Sequence, residues 1–116
     1  MSDPTCLFCR IIAREIPAAI VFEDEDVVAF KDIAPQAPLH LVLVPKVHLA
    51  GLNALTPDLA PLVGRLALAA RGLAQEHGCA VSGWRFLSNC GPDAGQTVHH
   101  LHFHLLGGKP MAGRLV

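Results

Sequence analysis

The run Leu101-His102-Phe103-His104-Leu105-Leu106, entered through His99-His100 and closed by Gly107-Gly108, alternates imidazole and hydrocarbon. A helix would scatter these residues around its circumference. A strand sends His100, His102 and His104 to one face and Leu101, Phe103 and Leu105 to the other. A strand beginning just beyond Val98 is therefore expected, with one face for chemistry and one for the core. His99 alternates away from the other three. Four of the seven histidines fall between positions 99 and 104. Such a row supplies neutral ring nitrogens near pH 7, suited to metal binding or to nucleophilic and acid–base work.

Just upstream, Asn89-Cys90-Gly91-Pro92-Asp93-Ala94-Gly95-Gln96-Thr97 is polar and punctuated by glycine. It reads either as an ordinary Gly-Pro-Asp turn or as a phosphate cradle. In the second reading Gly95 lets backbone N–H groups approach an oxyanion, and Gln96 and Thr97 add side-chain donors. The histidine strand that follows favours the cradle.

The rest of the chain supplies a sheet and two helices. Leu7 to Arg14 has apolar residues at helical spacing, with Asp3 or Thr5 as cap and Ile16-Pro17 as stop. Ile20-Val21-Phe22 and Val27-Val28-Ala29-Phe30 flank the acidic turn Glu23-Asp24-Glu25-Asp26 as a hairpin. A third strand runs from His40 to Val44 after a proline-punctuated loop. Thr56-Pro57-Asp58 starts a long helix carrying Leu59, Leu62, Val63, Leu66 and Leu73, which Gly78 stops after about residue 77. Gly64 and Gly72 read as points of close approach to the sheet. Trp84 to Asn89 is a further strand. The expected fold is α+β, a mostly antiparallel five-stranded sheet with one long and one short helix, in a single domain over residues 1–116.

Nine basic and ten acidic residues give a net charge of -1, with neither sign in a block. That argues against a nucleic-acid groove or an anionic membrane surface as partner. No run is long enough to span a membrane, and the first residues lack the pattern of a signal peptide, so the cytoplasm is expected. In that compartment the four cysteines read as thiols or metal ligands rather than disulfides. Apolar residues make up 52% of the chain and charged residues 16%, well under the usual quarter. This surplus implies a well-buried core or an apolar interface, although alanines in the long helix account for part of it.

The pattern His-apolar-His-apolar-His followed by two apolar residues resembles the signature of the histidine-triad nucleotide hydrolases and transferases. Asp32-Ile33-Ala34-Pro35-Gln36-Ala37-Pro38-Leu39-His40 and Val44-Pro45-Lys46-Val47-His48 extend the resemblance over nearly the whole chain. Gly107-Gly108 and Lys109-Pro110-Met111 look more like the purine nucleoside phosphoramidase branch than the dinucleoside polyphosphate hydrolases. The resemblance implies hydrolysis of purine nucleoside 5'-phosphoramidates to a nucleoside monophosphate and an amine. His102 would be the nucleophile, forming a transient nucleotidyl-histidine, with its other ring nitrogen donating to a backbone carbonyl. His104 and Gln96 would donate to nonbridging phosphate oxygens, Thr97 would lie near the leaving group, and His100 and His40 would complete the catalytic set. Asp32 would accept from the ribose, Asn89 would flank the sugar and phosphates, and Phe8, Ile11, Phe30, Ile33 and Val42 would wall the purine slot.

The resemblance further implies a structural zinc ion on Cys6, Cys9, His48 and His100. Cys6-Leu7-Phe8-Cys9 has the spacing of two thiolates sharing one ion, and a metal-free member with reduced cysteines is the other reading. Cys79 and Cys90 read as core or turn residues. A two-fold homodimer is implied, in which the long helix and a sheet edge meet the partner and Ala67, Ala69 and Ala70 permit close approach. The tail after Gly108, through Met111 or Arg114, would then tune which amine is accepted. Dinucleoside polyphosphate hydrolysis, or a nucleotide-binding regulatory role with incidental turnover, are the alternatives.

Overall fold

A computed structural model of the chain describes residues 3–111; Arg114 lies outside them. The elements in order are α1 (Leu7–Ile12), β1 (Ile20–Glu23), β2 (Val27–Lys31), β3 (Leu39–Pro45), α2 (Pro61–Glu76), β4 (Trp84–Leu87) and β5 (Phe103–Gly107). The five strands form one antiparallel sheet in the order β1-β2-β3-β5-β4, as expected of an α+β fold. No helix among the described residues is long and apolar enough to cross a membrane.

Strand alternation divides the core in two. Val27, Ala29, Leu41, Leu43, Phe103 and Leu105 pack with Leu66, Ala70, Leu73 and Ala74 of α2. On the opposite face Val28, Phe30, Val42 and Val44 pack with Phe8, Cys9 and Ile11 of α1. His104 pairs with Val42 across β3 and β5, so it shares the α1 face. Phe103 faces α2 and stacks on Phe86 of β4, with ring centroids 4.4 Å apart. The α1 face therefore carries the histidines, and the α2 face is hydrocarbon.

Several boundaries differ from the sequence reading. The last strand begins at Phe103, four residues later than its alternation suggests. Across from this segment Pro45 has no N–H to offer a ladder. Its carbonyl accepts instead from Nε2 of His100 at 2.9 Å, while Leu101 N–H reaches Leu49 O. Helix α1 ends at Ile12, before Ile16-Pro17, because Arg14 turns the chain with φ 64°. Its cap is Cys6, whose sulfur accepts from the Cys9 N–H, while Asp3 accepts from the N–H and hydroxyl of Thr5.

Helix α2 starts at Pro61 rather than near Thr56. The Thr56 hydroxyl donates to Asp58 at 2.5 Å, closing a separate turn before it. Gly78 does stop the chain of helical turns, at φ 76°. Gly64 and Gly72 do not approach the sheet: a Cβ at either would meet nothing within 4 Å. Ala70, assigned to an interface, is fully buried in the chain's own core.

Candidate active site

The site forms where β3, β5, α1 and the 89–98 loop meet on the α1 face. They enclose a cavity of about 790 Å³. Phe8, Ile11, Phe30 and Val42 make its apolar wall, and Phe8 meets Phe30 edge-on at 5.5 Å. Asp32, Asn89, Thr97, His102 and His104 bring polar groups to the same space. Ile33 lines it too, but its side chain is fully exposed at the rim rather than set in the wall. The chain between α1 and β1, from Ile16 to Ala19, also lines the cavity. Sequence reasoning missed it, because a proline stop carries no sign of what it faces.

Hydrogen bonds assign the ring protons. Nδ1 of His102 lies 2.8 Å from the carbonyl oxygen of His100, so it donates, and Nε2 keeps its lone pair. The segment itself is held by Ser88, whose hydroxyl donates to His102 O at 2.7 Å. Nothing in the spacing of Ser88 foretold this contact. At His40, Nδ1 accepts the Gln36 N–H at 3.0 Å, so Nε2 carries the proton. That proton lies between His40 and Nδ1 of His104, 2.8 Å away, with Asp32 Oδ2 at 3.3 Å. Nδ1 of His104 accordingly accepts, and its Nε2 bears the hydrogen. Neighbouring rings thus carry opposite equipment at Nε2: a lone pair on His102, an N–H on His104.

Electrostatics favour the neutral form of His104 and His40. Burial pushes His104 down to about 4, helped by repulsion from His102 and His40 and opposed by Asp32. Burial also lowers His40, again against the pull of Asp32.

Two expected members of the site are engaged otherwise than expected. His100 belongs with the metal candidates and not with the catalytic set. Its ring is completely buried and does not line the cavity, because the start of α1 lies over it and both its nitrogens are engaged. Gln96 lines the cavity, yet its carboxamide straps the loop. Its Nε2 donates to Ala50 O at 2.7 Å and Val98 O at 3.1 Å, and its Oε1 accepts from Gly91 N–H at 2.9 Å. With both amide hydrogens committed, Gln96 has none to offer a phosphate in this arrangement.

Cys6, Cys9, His48 and His100 converge beside the cavity, with all four ligand atoms within 4.8 Å of one another. Nδ1 of His100 lies 3.4 Å from each sulfur, Nδ1 of His48 is 3.3 Å from Cys9 Sγ, and the two nitrogens are 3.1 Å apart. Zn–S of about 2.3 Å and Zn–N of about 2.0–2.1 Å give tetrahedral edges of about 3.3–3.8 Å, so these four edges lie within a few tenths of an ångström of those of a zinc site. The orientation fits as well. His100 donates from Nε2 to Pro45 O, which leaves the Nδ1 lone pair facing the sulfurs. Burial pushes His100 down to about 4, keeping that lone pair free. Burial also raises the Cys9 thiol, a shift that a cation would reverse. Cys79 is buried in the α2 core, Cys90 is half-buried in its turn, and His99 is exposed.

Residues 5–114 match a family model described as scavenger mRNA decapping enzyme C-term binding. The chain is similar to the adenylylsulfatase HINT1 of Arabidopsis thaliana, at 44% identity over 112 residues, covering 95% of this chain and 76% of the relative. It is also similar to the purine nucleoside phosphoramidase of Escherichia coli K12, at 39% identity over 115 residues, covering 99% and 96%. Among solved structures it superposes on a HIT family hydrolase from Clostridium thermocellum with a TM-score of 0.95 and 43% identity. That match covers 99% of this chain and 100% of the other.

Proposed function

Because the chain belongs to the histidine-triad family, we propose that it hydrolyses purine nucleoside 5'-phosphoramidates through a nucleotidyl intermediate on His102. The observation that carries this reading is the opposed protonation of two adjacent rings on one cavity wall. Nε2 of His102 attacks the α-phosphorus, the P–N bond to the amine breaks, and the amine departs with the electron pair and gains a proton. Water then attacks the same phosphorus, the bond to Nε2 breaks, and the nucleoside monophosphate leaves. The Nε2–H of His104 donates to a nonbridging oxygen, where charge builds in both steps; such a donor is worth about 3 kcal/mol. His40 acts through His104 by fixing its tautomer. Thr97 serves the leaving-group side, Asp32 accepts from the ribose, Asn89 flanks the sugar and phosphates, and the apolar wall takes the purine.

The Cys6, Cys9, His48 and His100 set would hold one zinc ion. With four protein ligands such an ion is structural, tying α1 to the segments bearing His48 and His100.

The test is turnover of adenosine 5'-phosphoramidate by the wild type and by His102→Ala, alongside nucleotide binding. The wild type should turn over the substrate. The variant should bind AMP within a few-fold and lose about 10³-fold or more in kcat. Equal rates would reject the assignment. The similarity to an adenylylsulfatase supports including adenosine 5'-phosphosulfate as a competing substrate, since the same attack would expel sulfate.

A further inference from the structure

A second cavity, of about 270 Å³, adjoins the first, and the two share Leu7, Thr97 and Val98 in their walls. Asp3, Thr5 and His48 line the second only. Asp3 is the one carboxylate among its lining residues, which include no lysine or arginine. The carboxylate is held in place. Its Oδ1 accepts from the Thr5 N–H at 2.8 Å and the Thr5 hydroxyl at 2.7 Å, and the Asp3 carbonyl accepts from the N–H of Cys6, the cap of α1, at 3.0 Å. Both side-chain bonds end on Oδ1. Oδ2 has no partner among the described residues.

We infer that the second cavity receives the departing amine and that Asp3 makes it select amines carrying a second, cationic group, such as a terminal ammonium. This rests on the reading of His102 as nucleophile and of Thr97 on the leaving-group side, and it names the substrate class for that reaction. With Nε2 of His102 attacking one side of phosphorus, an in-line displacement expels the amine on the other. Thr97 stands on that side, and it is also part of the wall between the two cavities. A chain attached to the scissile nitrogen therefore passes Thr97 into the second cavity, where Leu7 and Val98 offer it hydrocarbon. At its far end an ammonium meets the open Oδ2 of Asp3. That ammonium takes no part in the bond changes: Asp3 sets specificity and touches no reacting atom. Because the pair is open to water, its effect on kcat/KM is about three- to fivefold and shrinks with salt.

The test compares adenosine 5'-phosphoramidates of straight-chain diamines of increasing length, each against the monoamine of equal length. Asp3→Asn keeps the Oδ1 acceptor that Thr5 uses and removes only the charge. Glu76→Gln removes a charge from the exposed end of α2, on the other face of the sheet, as control. In the wild type kcat/KM should favour the diamine by about threefold or more, with a maximum at one chain length. The ratio should fall to about one in Asp3→Asn, persist in Glu76→Gln and decline at high salt. Equal ratios in the wild type and Asp3→Asn, or no length at which the diamine is preferred, would overturn the inference. So would a preference that ignores length and weakens alike in both variants, which is attraction by net charge. The second readout needs no turnover. Adenosine 5'-sulfamates bearing the same amines, titrated by calorimetry, should show the same ratios in affinity, and equal affinities for the paired ligands would overturn the subsite. Diamine-selective binding without turnover of any phosphoramidate would instead count against the proposed reaction and leave the subsite standing.

Discussion

His102 and His104 are two residues apart, yet neighbours from elsewhere hold their rings in opposite tautomers: His100 O for one, His40 under the Gln36 N–H for the other. Alternation in the sequence revealed which histidines share a face. It was silent on who holds them, because Pro45 O, His100 O and the Gln36 N–H are backbone groups without a side-chain signature. The same blindness explains Gln96, whose donors looked available until the loop consumed them. A pH dependence follows from burial. His104 sits at about 4 in the folded protein, below the ordinary 6.5. Between those values the unfolded chain takes up a proton that the folded chain refuses, so stability falls as pH drops through that window. The urea midpoint should be lower at pH 4.5 than at pH 7.5, and His104→Gln should show a smaller drop. Parallel pH profiles for the two proteins would refute this.

At the scale of elements, α1 has only six residues, too few to be stable alone. Packing of Phe8 and Ile11 and closure of the cluster must hold it. Purified protein should carry about one zinc per chain, and Cys6→Ser or Cys9→Ser should release it and lower Tm by several degrees. Elemental analysis with calorimetry checks both. Strand β5 makes a second demand. A Cβ on Gly107 would lie 2.9 Å from Cys79 Sγ, too close for either to stay put. Gly107→Ala should cost about 1–3 kcal/mol, and Cys79→Ala should recover part of that loss in the double variant, measured by urea denaturation. The hairpin, the two helices and a mostly antiparallel sheet were legible from periodicity and turn residues. Boundaries were not. The start of β5 depends on Pro45 of β3, and Thr56 competes with the helix by bonding Asp58.

For the whole molecule, the apolar surplus has two destinations. Most of it fills the two core layers, but Gly64, Leu68 and Gly72 line one exposed stripe of α2, and Leu68 is 64% exposed. Along the edge strand β4 every residue is only half-buried. A second copy covering these surfaces would make a homodimer, with an interface of more than about 1,000 Å². Leu68→Arg should dissociate it while leaving the monomer folded, and sedimentation equilibrium at micromolar concentration decides. A monomeric wild type would reject the assembly.

The stereochemical course at phosphorus bears most directly on covalent transfer through His102. Two successive in-line displacements, first by Nε2 and then by water, each invert the centre. Hydrolysis of a substrate chiral at the α-phosphorus, made with sulfur and heavy oxygen, should therefore give net retention. Net inversion would mean that water attacks the substrate directly and that His102 never bonds to phosphorus.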